Sequence, residues 1–394
     1  LDTVVPAIMR EQGIDMWIVT AREYFEEPVI ATMLDGESMH ARRRTILVFF
    51  DPGEGKRVER MTVSRYGLGT LFTAAWDPAQ QPDQWQAVAD TIAARDPRKI
   101  AINTSDLTAF GDGMTLSQYQ AMMKALPAAY RSRIVSGETL ALRWLETRTP
   151  RELAIYPGII RLAHAIIGEA FSRKVITPGR TTAEDVQWWY RDRLAKLGLT
   201  PWFHPSIGIQ RQGSNGMLEG KVVIQPGDLL WTDFGITYLR LNSDTQHLAY
   251  VLKPGENEVP AGLAAGLRAT NRVQDILRES FAVGLSGNEV LSKARAEALA
   301  EGLEPSIYSH PIGFHGHGAG TAIGFWDNQQ DDPRGTYRIH PDTTWSIELT
   351  SASAVPEWGG QTVDFRAEEN ALFDGKQVRF LDGRQTEITP IPSD

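Results

Sequence analysis

Three stretches of this chain read as buried β-strands, and each carries a carboxylate where an apolar side chain would be expected. Residues 229–234 (LLWTDF) are apolar apart from Thr232 and Asp233. Residues 344–350 (TWSIELT) alternate, with Trp345, Ile347 and Leu349 on one face and Ser346, Glu348 and Thr350 on the other. In residues 363–373 (VDFRAEENALF) the apolar phase Val363, Phe365, Ala367 leaves Asp364, Arg366 and Glu368 opposite, so Glu369 points away from Glu368. A buried carboxylate is costly unless it is paired or holds a cation. Arg366 or a metal could partner Glu368, whereas no sequence neighbour serves Glu348. A fourth acid, Asp244, follows Asp233 by eleven residues in another strand pattern (LNSDTQHLAYV). A hairpin centred between Tyr238 and Leu239 would set Asp233 directly opposite Asp244, with Cβ atoms about 4.5–5.5 Å apart. Two ionised groups there repel unless cations sit between them, and a pair of divalent ions about 3.5–4 Å apart would fit. The alternative is an exposed hairpin with two solvated aspartates, and Tyr-Leu is poor chemistry for a tight turn.

The donor types available narrow the chemistry. The chain has no cysteine among 394 residues, which excludes disulfides, zinc ribbons, iron–sulfur clusters and thiol nucleophiles. Any metal must rest on His, Asp and Glu. His310, His315 and His317 fall in the glycine-rich stretch 309–320 (SHPIGFHGHGAG), where the backbone can bend closely around a site. Carboxylates with one imidazole suit manganese, cobalt or zinc. A formal charge of −9, from 49 acidic and 40 basic residues, disfavours nucleic acid or an anionic membrane as partner. No apolar run near the roughly 18 residues of a bilayer span stands out. The chain starts at Leu1 rather than Met, which leaves a removed leader open; the compartment is unassigned, with the cytoplasm favoured and a periplasmic or secreted location open if a leader was removed.

The fold class expected is α/β (α+β) in two domains, 1–145 and 146–394. The first alternates strand and helix signals: helices at 3–12 and 84–95, strands at 14–20, 45–50 and 99–103. Residues 143–150 carry charge and little periodicity and end in Thr149-Pro150-Arg151-Glu152, a capping box with proline at the first helical position. Thr182 with Asp185 and Ser286 with Glu289 start two further helices, which Gly198 and Gly302 stop. Pro157 should kink or restart the first of the three.

The order Asp233, Asp244, His, Glu348, Glu368 resembles the ligand order of the pita-bread metallopeptidase family, which includes methionine aminopeptidase, aminopeptidase P, prolidase and creatinase. The lead-in Gln225-Pro226-Gly227-Asp228 and the run Arg366-Ala367-Glu368-Glu369 are similar to that family's motifs, and the second selects Glu368 over Glu369. The resemblance covers most of residues 145–390. It implies a C-terminal pita-bread domain, a curved antiparallel sheet flanked by helices, behind an N-terminal creatinase-like α/β domain. The family pattern His-x-x-Gly-x-x-x-His fits His310, Gly313 and His317, which makes His310 the metal ligand and His317 the substrate-side imidazole. The family usually has a further histidine upstream of its first aspartate. Residues 213–222 (GSNGMLEGKV) contain none, and His204 is the candidate to reach that space.

By the same resemblance, Asp233 and Glu368 bridge two divalent ions (Mn, Co or Zn, with Mn favoured), Asp244 binds one, and His310 with Glu348 binds the other. Glu348 doubles as general base. The activity implied is hydrolysis of Xaa-Pro dipeptides, or removal of the N-terminal residue of X-Pro peptides, by a hydroxide shared between the ions. Trp202, Phe325, Trp326 and Trp358 are candidate walls for the proline ring. A small peptide is the expected partner and a homodimer the expected assembly. Competing readings are a creatinase-like hydrolase of a small C–N substrate and a non-catalytic binding protein on the same fold.

Overall fold

The computed structural model describes residues 1–53 and 55–393. The chain divides into two compact units, Leu1–Leu145 and Glu146–Asp394. The first is built on a six-stranded mixed sheet. Met16–Arg22 lies at its centre, antiparallel to Arg44–Phe50 and parallel to Ile100–Ile102, and the short strands Glu59–Thr62, Thr73–Ala74 and Ile134–Ser136 complete it. Helix Gln84–Ala93 starts where Asp83 accepts the amide hydrogens of Trp85 and Gln86, and it buries Trp85, Val88 and Ile92 against the sheet.

The unit's last helix, Glu138–Glu146, extends into the stretch expected to be irregular. Its buried Leu142 and Leu145 continue the apolar stripe begun by Leu140 and Ala141, which a count of charges along the segment misses.

The second unit holds a nine-stranded sheet, antiparallel but for one edge. Its main path runs Pro305–Ile307, Thr343–Val355, Gln361–Phe373, Thr245–Val251, Leu229–Phe234, Ser206–Gln210. Strands His310–Pro311 and Val378–Phe380 pair with Thr343–Val355 and Gln361–Phe373, and Thr389–Ile391 runs parallel to Thr245–Val251. Two helix pairs cover one face. Helices Pro150–Ala170 and Ala183–Leu197 pack on Leu230 and Ala249, while Ala261–Glu279 and Gly287–Ala300 pack on Trp345, Ile347 and Ala371. Helix and sheet approach closely at Gly266, where a Cβ would meet the Phe365 ring at 2.1 Å.

All three capping boxes form, at Thr149, Thr182 and Ser286. Pro157 does not restart its helix, which runs unbroken over 21 residues as Pro150–Ala170. The stripe Tyr156, Ile159, Ile160, Ala163, Ile166, Ile167 stays in phase across the proline and is buried, which offsets the roughly 3 kcal/mol an interior proline costs. By length and composition this helix also meets the test for a bilayer span, which qualifies the sequence expectation; its apolar stripe lies inside the core and its other faces keep Arg151, Glu152, Arg161 and Glu169.

The hairpin differs in register. Tyr238 pairs with Leu241 and Asp233 with Gln246, so the turn centres on Leu239-Arg240 and Gln246, not Asp244, stands opposite Asp233. Both turn residues adopt positive φ, +50° and +66°. The shift is two positions along the partner strand, and a period of two preserves the face. Asp244 therefore remains on the side of Asp233, one step along the strand.

Candidate metal centre

The pleat and register assemble the site from four adjacent strands. Glu348 pairs with Glu368, Glu368 with Gln246 and Gln246 with Asp233, so these four side chains form one row across the face turned away from the helices. Asp244 closes the row from the end of Thr245–Val251, held by its amide hydrogen bond to Asn370 Oδ1 at 3.0 Å. His310 enters on the short strand paired with Ser346.

The structure brings together Asp233, Asp244, His310, Glu348 and Glu368. Two groups of ligand atoms converge within 4.8 Å, one of Asp244, His310 and Glu368 and one of Asp233, Glu348 and Glu368. Glu368 belongs to both. Asp233 stands in only one, so its expected bridging role is not reproduced by this grouping. His310 Nε2 lies 3.6 Å from Asp244 Oδ2 and 3.7 Å from both Glu348 Oε2 and Glu368 Oε1. These separations are too long for hydrogen bonds, and they suit ligands that each sit about 2.0–2.2 Å from a shared ion.

The donor chemistry fits divalent cations. Asp244, His310, Glu348 and Glu368 are all at most 5% exposed. Burial first, and then the facing Glu368 carboxylate, push Asp233, Asp244 and Glu348 well above the usual carboxylate range. Asp233 Oδ1, Asp244 Oδ1 and His310 Nε2 are buried without a hydrogen-bond partner. His310 Nδ1 faces the Pro311 carbonyl at 2.9 Å, so the proton belongs on Nδ1 and the lone pair of Nε2 is turned to the carboxylates. Four acids, one imidazole and three orphaned ligand atoms make a cradle for two cations.

Gln246, which sequence reasoning passed over, is the hub of this row. Its Nε2 donates to Glu348 Oε1 at 2.6 Å and Glu368 Oε2 at 2.8 Å, and reaches Asp233 Oδ2 at 3.4 Å, while its Oε1 accepts from Trp231 Nε1. Ser346 donates to the other oxygen of Glu368. Arg366, the alternative partner for Glu368, instead stands over the Trp231 ring. Strand alternation from Asp244 would have flagged Gln246.

His317 lies beside the centre, its ring 4.7 Å from His310 and 5.1 Å from Trp202. Gly316 allows that packing, since a Cβ there would meet the Trp202 ring at 2.3 Å. Partial burial, then the neighbouring His310, bring the His317 imidazole down to about 4, so it is neutral at pH 7. Tyr308, also unforeseen, packs 5.3 Å from His310 and 6.0 Å from His317, with Phe325 stacked on it and Trp326 at its edge. Its phenol is pushed up by burial and by Glu348, and stays protonated. Trp358 is a core residue packed with Val355, Val363 and Phe365, away from these aromatics. His315 packs against Phe314. His204 keeps other company, with Arg191 at its Nδ1 and Trp188 against its ring, and does not join the converging groups.

A sheet carrying five convergent oxygen and nitrogen donors on one face defines a candidate divalent-metal centre. Residues 158–374 match Metallopeptidase family M24, and the chain belongs to that family. Among solved structures it is similar over 98% of its length to an X-Pro aminopeptidase from Thermotoga maritima MSB8, covering 99% of that chain at 15% identity with a TM-score of 0.66. An Xaa-Pro dipeptidase from Bacillus anthracis is 18% identical, with 98% of both chains covered and a TM-score of 0.65. A prolidase from Pyrococcus horikoshii OT3 is 15% identical, with 97% of both covered and a TM-score of 0.59. No curated protein sequence matches the chain.

Proposed function

We propose that this chain is a dinuclear-metal peptidase acting on Xaa-Pro dipeptides or on the N-terminal residue of X-Pro peptides. The observation that carries the reading is the row Glu348, Glu368, Gln246, Asp233 with Asp244 and His310 at its ends, in which three buried ligand atoms have no protein partner. Asp233, Asp244, His310, Glu348 and Glu368 would hold two divalent ions, Mn²⁺ being favoured by the oxygen-rich set. When bound, such ions lower the pKa of a shared water and polarise the scissile carbonyl. The protein groups then divide the remaining work. Glu348 accepts the proton of the attacking water and passes it to the leaving nitrogen. Neutral His317 donates a hydrogen bond to the substrate carbonyl as charge builds there. Tyr308, Phe325 and Trp326 form an aromatic wall for the proline ring, with Trp326 44% exposed at its edge.

The test is a hydrolysis screen of Xaa-Pro dipeptides, longer X-Pro peptides and creatine with Mn²⁺ supplied, run on the unaltered chain and on Glu348→Ala. Turnover of the proline peptides that falls at least about a hundredfold in the variant, with its melting curve preserved, is the expected result. Near-normal hydrolysis by Glu348→Ala would sink the mechanism, and hydrolysis of creatine alone would move the assignment to the creatinase-like reading.

A further inference from the structure

Directly behind the metal centre, the same two strands build a second group of ligand-type side chains. Gln246 and His247 are consecutive, as are Glu368 and Glu369, and consecutive strand residues face opposite ways. With Gln246 opposite Glu368 in an antiparallel pair, His247 and Glu369 are diagonal neighbours on the helix-covered face, and their side chains meet there. His164, from helix Pro150–Ala170, comes down onto the same spot.

Glu369 is the hinge of this cluster. Its Oε2 lies 2.9 Å from His164 Nε2 and its Oε1 2.8 Å from His247 Nε2. The two imidazole rings are 5.0 Å apart, and the three ligand atoms lie within 4.8 Å of one another. We propose that His164, His247 and Glu369 form a binding site for a third divalent ion, of the imidazole-seeking first-row class typified by zinc, which ties helix Pro150–Ala170 to the sheet behind the catalytic centre.

In the metal-free chain Glu369 holds both imidazoles by hydrogen bonds, which an ion would replace, and three features favour that replacement. Two imidazoles and a carboxylate are a full protein complement for four-coordinate zinc with one position left to solvent. The far nitrogen of His164, Nδ1, meets Asp382 Oδ2 at 3.3 Å, the carboxylate–imidazole arrangement that orients a ligating histidine and turns its Nε2 to the ion. Finally, the cluster is positioned and reachable. Gln385 donates its backbone N–H to Glu369 Oε1 and clips Leu248 through both ends of its amide, fixing the loop that carries Asp382. The carboxylate still has lone pairs for an ion. Side-chain exposures of 17% for His164, 14% for His247 and 16% for Asp382 leave an entry path, while Glu369 is 2% exposed.

The site is separable from the peptidase centre because it shares no ligand with it. The chelator-treated full chain is dialysed against zinc, and bound zinc is counted for the unaltered protein, His164→Gln and His247→Gln. Each variant is expected to bind one equivalent fewer than the unaltered chain, whatever the occupancy of the centre on the other face, and Asp382→Asn to keep the count but weaken that equivalent about tenfold or more. Equal counts in the unaltered chain and both histidine variants would overturn the proposal. If either variant fails to fold, anomalous scattering at the zinc edge from crystals of the unaltered chain decides: a peak between His164, His247 and Glu369 supports the site, and its absence in zinc-soaked crystals overturns it.

Discussion

At the scale of single residues, the site is a problem of charge in a dry place. Four buried carboxylates on one face of a sheet must be protonated or matched by cations, and Gln246 adds hydrogen bonds rather than charge, since its amide touches three of them. Gln246→Ala is accordingly expected to weaken metal binding by about tenfold or more, as loss of an orienting group beyond the ligands does, with the ligand count at saturation unchanged in equilibrium dialysis. The two nearby histidines should separate by readout. On the proposed assignment His310→Ala should lower metal stoichiometry, whereas His317→Ala should keep stoichiometry and lower kcat/KM. If His317→Ala loses an ion instead, the two roles are reversed. Strand alternation singled out Asp233, Asp244, Glu348 and Glu368, the family resemblance selected His310 among three histidines, and the structure brings the five together. Gln246 and Tyr308 were passed over because an amide and a phenol carry no charge to attract notice. The His164–Glu369 contact was invisible for another reason: its partners are 205 residues apart.

At the scale of elements, strands with strict alternation and helices with capping boxes were readable, and connections were not. In the first unit, Glu59–Thr62, Thr73–Ala74 and Ile134–Ser136 are two to four residues long. So short a strand shows no period, and pairing in the sheet rather than local preference makes it. The hairpin turn was misplaced by one residue because neither Tyr-Leu nor Leu-Arg has turn chemistry. The observed turn is strained, with Leu239 at φ +50° and 59% exposed. A bulky residue held in that region costs of order 1–3 kcal/mol, and asparagine tolerates it. Arg240 is better left in place, since its guanidinium stacks over Phe314 at 4.8 Å. Leu239→Asn is therefore expected to stabilise the chain by about 1 kcal/mol, read as a higher denaturant midpoint at unchanged slope; a lower midpoint would mean that the turn is not strained as its dihedrals imply.

At the scale of the whole molecule, the two units carry buried acids of opposite character, and stability should depend on pH differently in each. In the second unit, with no ion on the His164–His247–Glu369 cluster, burial would raise Glu369, but His247 and His164 more than offset it and hold it at about 2. A depressed acid stabilises above its unfolded value of about 4.5 and loses that contribution as pH falls through about 2. Glu27, in the first unit, is the reverse. It is 2% exposed, and burial lifts it from 4.5 to about 7 despite hydrogen bonds from Asn103 Nδ2 and the Ile30 amide. With the folded value raised, the neutral acid is the form the fold prefers. Its contribution is complete below about pH 4.5 and is lost as pH rises through about 7, a change of roughly 3 kcal/mol across the window. The first unit is thus expected to unfold more readily at pH 8.5 than at pH 5.5. Hydrogen exchange protection at Trp17, whose ring nitrogen donates to the same Asn103, reports that unit by itself. Glu27→Gln keeps the shape and removes the charge, so it should flatten the pH dependence; an equally steep dependence in that variant would place the sensitivity in another group.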